Sequence, residues 1–295
     1  MCNYILSAES TVDLPFKRMQ EKGVSIIFYT YSIGTTVFED DMSRTIGERA
    51  DFYRKLKAGA KPVTSQINTA TYVDYFSAIL DKKKKDVLHI AFGSGMSGSV
   101  FNAIEAAKEV NETHENKVVV LDSFCSSSGY GMLVEYAVDL RNAGKSFEEV
   151  EDWVKNNAKR IHHRFFCTDL AFFRRSGRVK AITSLIGTFL GICPLMKLDE
   201  SGRIIAFGKI RGKRKAIDAV IDFMAENAEK GVDYDGKCFV NHSNCLETAL
   251  IVKEKIEQRF PGLKDKIEIF DIGAVVSSHC GPDVTAVYFL GSKRD

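Results

Sequence analysis

"DVLHIAFGSGMSGSVFNAIEAAKEV", residues 86–110, carries the grammar of the first half of the chain. An apolar, β-rich run comes first, a glycine- and serine-rich turn follows, and a run with helical apolar spacing closes it. That order predicts a strand, a loop, and a helix whose start faces the loop. The loop reads G-x-G-x-x-G at Gly93, Gly95 and Gly98, the pattern of a dinucleotide-binding turn. The next apolar run, "KVVVLD", ends on Asp122, close to where a ribose-binding acid belongs. Two features favour a smaller ligand. The pattern is not in the first strand–helix unit, where a Rossmann domain carries it. Ser94, Ser97 and Ser99 also line the loop with hydroxyls. Hydroxyls and backbone N–H groups at a helix start make a compact anion site, suited to a carboxylate or a phosphate. A dinucleotide site and a purely structural turn are the alternatives at this point.

Working outward, "NYIL", "VSIIFYTYSI", "DVLHIAF" and "KVVVLD" read as strands, with helical patterns at 46–58, 69–80 and 99–110. Such alternation implies parallel βαβ units covered on both faces. A helix follows "DSFCSSSG" and stops at Gly144; the next is read over "SFEEVEDWVKNNAKRIHHR", with Ser146 and Glu149 spaced as a capping box. After about residue 160 the pattern changes. "CPLMKL" and "RIIAFGKI" flank "DESG" as a hairpin, followed by a helix over about 212–230, the strand "KCFVNHS", a helix over about 246–259, and the strands "KIEIFDIG" and "VTAVYFL". The expectation is an α/β protein of two domains: a parallel-sheet α/β domain over 1–160 and an α+β domain with a hairpin-containing sheet over 161–295.

Composition excludes several classes. The 295 residues carry a net charge of +2, with 45% hydrophobic and 27% charged residues, as in ordinary globular proteins. Neither the charge nor the basic runs "FFRRSGRVK" and "KIRGKRKAI" comes with the interleaved aromatics of a nucleic-acid face, so these runs read as solvated surface, an Arg–anion clamp or a docking surface. The start lacks the charge and apolar core of a signal peptide, and the uncharged run 181–196 is too short and too polar to span a bilayer, which predicts a cytoplasmic protein. The seven cysteines contain no C-x-x-C and read as reduced, mostly buried thiols. His162 and His163 are adjacent and no H-E-x-x-H occurs, so no metal site is expected.

Other candidates lie in loops. "KPVTSQIN" places Thr64, Ser65, Gln66 and Asn68 before a helix, as capping residues or as a second ligand-facing terminus. Ser10, Thr11 and Asp13 follow the first strand. Ile182, Leu185, Ile186 and Phe189, widened by Leu190, share one helix face, either core or the lining of an apolar ligand. His279 lies between two strands, flanked by Ser277, Ser278 and a Gly–Pro turn. A serine hydrolase using Ser97, Asp271 and His279 is one rival reading, although "GMSGS" is not G-x-S-x-G. A nicotinamide-dependent oxidoreductase using Gly93, Gly95 and Gly98 is another.

Taken in order, "AESTVDLP", "VTSQIN", "FGSGMSGS", "LDSFCSSSGYG", "RSGRVKA", "GKIRGKRKAI" and "HCGPD" resemble the motifs of the DegV family along essentially the whole chain. The resemblance implies a carrier of one long-chain fatty acid, such as palmitate, stearate or oleate, with no cofactor and no turnover of its own. It places the carboxylate between the domains, the first bearing the hydroxyl loops and the second closing over the acyl chain. It further implies a separate ATP-dependent fatty acid kinase as partner, no nucleic acid, and at most transient membrane contact. Carried over motif by motif, Thr64, Ser94 and His279 match carboxylate contacts, Ser65 a ligand-binding position, Ser97 the helix-start serine, and Arg178 and Arg211 head-group or kinase-facing positions. Five positions depart from the family pattern: Glu9 for Asp, Ile67 for Pro, Gly93 for Ser, Ser176 for Gly and Asp283 for Gly.

Overall fold

The computed structural model describes residues 3–180 and 191–295. The apolar face read at Ile182–Leu190 lies outside the described residues.

The chain divides into two compact units, one of residues 1–158 with Gly273–Val275, the other of residues 159–272 with 276–295. The first unit is built on a four-stranded parallel sheet in the order β2 (Val24–Ile27), β1 (Tyr4–Glu9), β6 (Asp86–Ala91), β7 (Val118–Asp122). Its central strands are apolar and buried, as a sheet covered on both faces requires. Helices α3 (Thr69–Lys83), α4 (Ser99–Thr113), α5 (Ser127–Asn142) and α6 (Phe147–Asn157) pack on it, and α1 (Phe16–Glu21) packs on β2. The Asn68 side chain caps α3 by accepting from the Thr71 N–H, and α6 carries the complete Ser146–Glu149 capping box. From β1 the chain goes to β2 on one side and to β6 on the other. The carboxyl ends of β1 and β6 therefore form the topological switch point, where open α/β sheets place their ligands.

"VSIIFYTYSI", read above as one strand, is two. It bends after β2, where Tyr29 N donates to Ser10 Oγ at 3.1 Å. It resumes as β3 (Thr30–Ile33) in a separate antiparallel sheet, between β4 (Thr36–Glu39) and β5 (Val63–Ser65). That small sheet carries Thr64 and Ser65. Helix α2 (Glu48–Lys57) follows β4 in the chain.

The second unit holds a seven-stranded mixed sheet in the order β13 (Glu268–Asp271), β12 (Cys238–His242), β14 (Thr285–Leu290), β8 (Ile161–Phe166), β10 (Ile192–Leu198), β11 (Ile204–Arg211), β9 (Val179–Lys180). β10 and β11 are the hairpin expected around "DESG". Helices α8 (Lys213–Asn227) and α9 (Leu246–Arg259) pack on the sheet; α7 (Ala171–Ser176) and α10 (Ala274–Cys280) are short. Two sequence expectations are corrected here. The helix read through Arg164 ends at Asn157, and "IHHRFF" is instead β8, the fully buried central strand. His279 lies on α10 rather than in a loop. Cys125, Cys167, Cys193, Cys238 and Cys280 are buried thiols. No described helix is long and apolar enough to cross a membrane.

Candidate functional site

Four loops of the first unit meet at the switch point, and side chains lock them together. Asp122, at the end of β7, accepts from Ser94 N at 3.1 Å and Phe124 N at 2.8 Å through one carboxylate oxygen. It thus ties the loop after β6 to the loop after β7. Gly93 N donates to Cys125 O at 3.0 Å, and a Cβ at Gly93 would stand 2.8 Å from that oxygen. Glycine is required there by close backbone approach, so the dinucleotide-like pattern has a structural cause. A Cβ at Gly98 would meet the Gln66 amide at 3.1 Å. Two glycines of the pattern are thus packed against protein. Replacing Gly93 by Ala should cost about 1–3 kcal/mol, the usual penalty of overpacking; urea unfolding measures it, and an unchanged midpoint would show that the two loops can separate freely.

The "TSQIN" segment docks onto the same loop. Ile67 N donates to Ser99 Oγ at 3.1 Å, and Asn102 Nδ2 to Ile67 O at 2.8 Å. Ser97 Oγ lies 3.3 Å from both Ser99 Oγ and Tyr29 OH, and Ser99 N donates to it at 3.3 Å. The Ser94 hydroxyl is different. Its residue is half-buried, and the hydroxyl makes no hydrogen bond among the described residues. It stands at the mouth of the loop that opens α4, a fifteen-residue helix whose terminus favours an anion. Thr64 is half-buried opposite Tyr31 in the small sheet; Ser65, opposite Thr30, is exposed.

Behind these hydroxyls lies a polar floor. Glu9 is fully buried; Oε1 accepts from Tyr72 OH at 2.6 Å and Oε2 from Phe92 N at 3.0 Å, with His89 Nε2 3.5 Å away. Glu9 N donates to Tyr130 OH at 2.9 Å. Asp13, in the left-handed region at φ 50°, accepts from the Ser127 hydroxyl, while Ser128 Oγ donates to Asp13 O at 2.9 Å. Burial, reinforced by the neighbouring Asp40, pushes the Asp13 carboxyl up to about 8. Burial raises Asp40 to about 6 against the pull of Arg49. Tyr29, Tyr72, Tyr130, Asp40 and Ser127 were not singled out from the sequence. The aromatic ones lie in apolar runs that read as core, and Asp40 in a stretch without periodicity.

In the second unit, Ser176 Oγ donates to His279 O at 3.3 Å and Arg175 Nη2 to Ser278 O at 3.4 Å. Burial first, then the charges of Arg178 and Arg175, push the His279 imidazole down to about 4, so it is neutral at ordinary pH. Arg178 is exposed, with Nη1 2.6 Å from Ser176 O. Arg211 is exposed at the end of β11, and its side chain makes no hydrogen bond or ion pair among the described residues. The structure thus groups Ser94 and Ser97 in one loop of the first unit, and His279 with Arg178 in the second. Asp271, the acid of the hydrolase reading, has its carboxylate 3.6 Å from His242 Nδ1. No group of metal-ligating side chains occurs among the described residues.

The family model described as "Uncharacterised protein, DegV family" matches residues 6–292. The chain belongs to the DegV family. A DegV domain-containing protein of Clostridium perfringens is 29% identical over 298 residues, covering 100% of both chains. Among solved structures, the fold is similar to a Thermus thermophilus DegV family protein described by its fatty acid binding, with TM-score 0.85 and 25% identity over 98% of this chain and 100% of that one. It is also similar to DegV of Bacillus subtilis, described as a fatty acid binding protein, with TM-score 0.82 and 23% identity over 99% and 100%. A Eubacterium eligens DegV family protein, solved loaded with heptadecanoic acid, has TM-score 0.82 and 20% identity over 98% and 100%. The DegV fold, a parallel-sheet domain followed by a mixed-sheet domain, is therefore the fold of this chain.

Proposed function

We propose that this DegV protein binds one long-chain fatty acid and presents its carboxylate to a separate ATP-dependent kinase, which forms the acyl phosphate. The observation that carries the reading is the Ser94 hydroxyl, half-exposed and uncommitted at the start of α4, on the switch point of the parallel sheet. The fatty acid binding of the Thermus thermophilus relative supports the ligand class. A sixteen-carbon chain gains roughly 0.8 kcal/mol per buried methylene, about 12 kcal/mol gross. Association and ordering costs offset much of that. Acyl burial supplies the affinity, and the polar groups supply orientation. Ser94 and Thr64 donate to the carboxylate in this reading, Ser65 and Ser97 belong to the ligand-binding loops, His279 contacts it, and Arg178 and Arg211 face the head group or the kinase.

Catalysis by the chain alone is not part of the reading. With ATP and palmitate but no kinase, it should form no acyl phosphate. The Asp271 carboxylate lies beside His242 Nδ1, and this pairing gives the hydrolase reading no support.

Hydrogen bonds to a charged group contribute roughly 1.5–3 kcal/mol. Ser94→Ala, Thr64→Val and His279→Ala should therefore each weaken palmitate binding about tenfold to a hundredfold. Hexadecanol, which lacks the charge, should bind the parent more weakly and lose much less on mutation. Unchanged palmitate affinity in all three variants would remove this carboxylate site. Equal losses for acid and alcohol, with lowered thermal stability, would mean that the residues only shape the loops.

A further inference from the structure

The polar floor of the first unit converges on one buried carboxylate. Glu9, at the carboxyl end of β1, is 0% exposed. It stands where the family pattern has Asp, so its carboxylate reaches one methylene further from the strand. Oε2 accepts from Phe92 N at 3.0 Å, and Phe92 is the base of the loop that opens α4. Oε1 accepts from Tyr72 OH at 2.6 Å. Tyr29, 3% exposed, brings a second phenol to the same carboxylate; burial first, then the charge of Glu9, push that phenol well up. The Tyr29 hydroxyl also lies 3.3 Å from Ser97 Oγ. His89, 0% exposed, stands 3.5 Å from Oε1 through Nε2, and its Nδ1 lies 2.9 Å from Ser7 Oγ, which fixes the ring beside Glu9.

Hydrogen-bond capacity gives this chain a direction. A carboxylate that takes Tyr72 O–H and Phe92 N–H acts as an acceptor, and Tyr29 has a single proton to give. Donated to Glu9, that proton leaves the Tyr29 oxygen to accept from Ser97. The one proton of Ser97 is then committed to Tyr29 and Ser99 Oγ, each 3.3 Å away and each buried. Its oxygen accepts from Ser99 N at 3.3 Å. Ser99 Oγ in turn accepts from Ile67 N at 3.1 Å, in the segment that carries Thr64 and Ser65. Ser94 remains the loop hydroxyl with a proton to donate.

We propose that Glu9 is a positioning residue for the ligand loop: it holds Phe92 at the base directly and Ser97 at the far end through Tyr29, and it turns the Ser97 proton inward, leaving donation to Ser94. Side chains one step behind a binding site fix it in this way. The consequence for binding rests on the fatty acid reading; the hold on the loop does not.

The test uses the full chain in two arms. The first is amide hydrogen exchange without ligand. In Glu9→Gln, which puts a donor where an acceptor is needed, and in Tyr29→Phe, which removes only the hydroxyl, Ser99 N–H should exchange about tenfold faster, the equivalent of one hydrogen bond. Buried amides of β6 and β7 report global opening and correct for lost stability. The second arm is palmitate affinity. Glu9→Gln, Tyr29→Phe and Ser97→Ala should each weaken it about tenfold, and the pair Tyr29→Phe, Ser97→Ala should be no worse than about tenfold, because both cut one chain. Should Glu9→Gln not fold, Tyr29→Phe carries both arms. Ser99 exchange that rises no more than that of the sheet amides overturns the proposal. So does an unchanged palmitate affinity in Glu9→Gln and Tyr29→Phe, or a roughly hundredfold loss in the pair, the sign of independent structural effects. If the native chain binds no palmitate, the fatty acid reading fails, and the exchange arm alone decides whether Glu9 holds the loop.

Discussion

Arg18→Ala should destabilise the protein by about 3–5 kcal/mol, the usual cost of removing one partner of a buried ion pair. The charge left behind is Glu135 on α5, whose side chain is fully buried. Arg18 on α1 donates from Nε to Oε1 at 2.5 Å and from Nη2 to Oε2 at 3.0 Å, a bidentate clamp. Lys22 Nζ, 3.5 Å from Oε1 and 27% exposed, offers a weaker substitute. Arg18→Lys should therefore lose less than Arg18→Ala, and the double variant Arg18→Met, Glu135→Leu should recover most of the loss, because no charge remains buried. Urea denaturation reads all three. A loss below about 1 kcal/mol in Arg18→Ala, the range of a surface pair, would show that Lys22 and solvent neutralise Glu135. The effect reaches the candidate site through α5. A Cβ at Gly131, in the first turns of α5, would stand 2.6 Å from Val12 O, so α5 is pressed directly onto the loop bearing Asp13.

The parallel sheet was legible because strand and helix periods alternate cleanly from β1 to β7, and because a parallel strand buried on both faces must be apolar throughout. The same rule hid β8. "IHHRFF" puts two histidines and an arginine in a fully buried strand, and polar residues following a helical pattern read as its solvated end. What places them inside is tertiary: Phe289 stacked on His162, and Phe223 and Phe207 around Arg164. The break in "VSIIFYTYSI" was invisible for a related reason, since an apolar run without Gly or Pro carries no local mark of a bend. The bend is fixed by the Ser10 hydroxyl, distant in sequence.

The departures from the family pattern acquire physical roles. Ile67 supplies an N–H that proline lacks, and that N–H bonds Ser99 Oγ. Ser176 adds a hydroxyl that holds His279 O. Asp283 occupies a left-handed position, φ 65°, that glycine adopts without strain. Its carboxylate then takes the Thr168 hydroxyl and, at 2.7 Å, Lys213 Nζ. Gly93 removes a Cβ that would press on Cys125 O. At Ser176 and Asp283 the chain thus exchanges backbone freedom for side-chain tethers near the candidate site. A motif comparison registers them as mismatches, because only coordinates show which atom each new side chain reaches.

Stability should fall as pH rises from about 5.5 to 8.5, and Asp13→Asn should remove much of that fall. Asp13 is 6% exposed and its carboxyl is raised from 3.8 to about 8, by burial first and then by Asp40. The folded protein therefore keeps a proton that the unfolded chain has released above pH 4. Where the native state binds more protons, stability declines with pH, at up to roughly 1.4 kcal/mol per pH unit for one proton. The stabilisation is complete below the unfolded value and is lost as pH climbs through the folded one. Asp40, raised to about 6 by burial, adds to the lower part of the window; the charge of Arg49 opposes both shifts. Other carboxyls act with the opposite sign: Asp199, held low by hydrogen bonds from Arg203 and Ser201 against its burial, stabilises above the usual carboxylate range, so the window is best read above pH 5.5. Asparagine is neutral at every pH, and its carbonyl can still accept from the Ser127 hydroxyl. Asp13→Asn should thus flatten the slope and match or exceed the native protein at pH 8.5. Chemical denaturation at half-unit pH steps measures both curves. Parallel curves would place the excess proton elsewhere, whereas a variant less stable than the native protein at pH 8.5 would mean that Asp13 is held ionised. Asp13 joins the loop after β1 to Ser127, the first residue of α5, so the same proton sits at a hydrogen bond where the candidate-site loops meet.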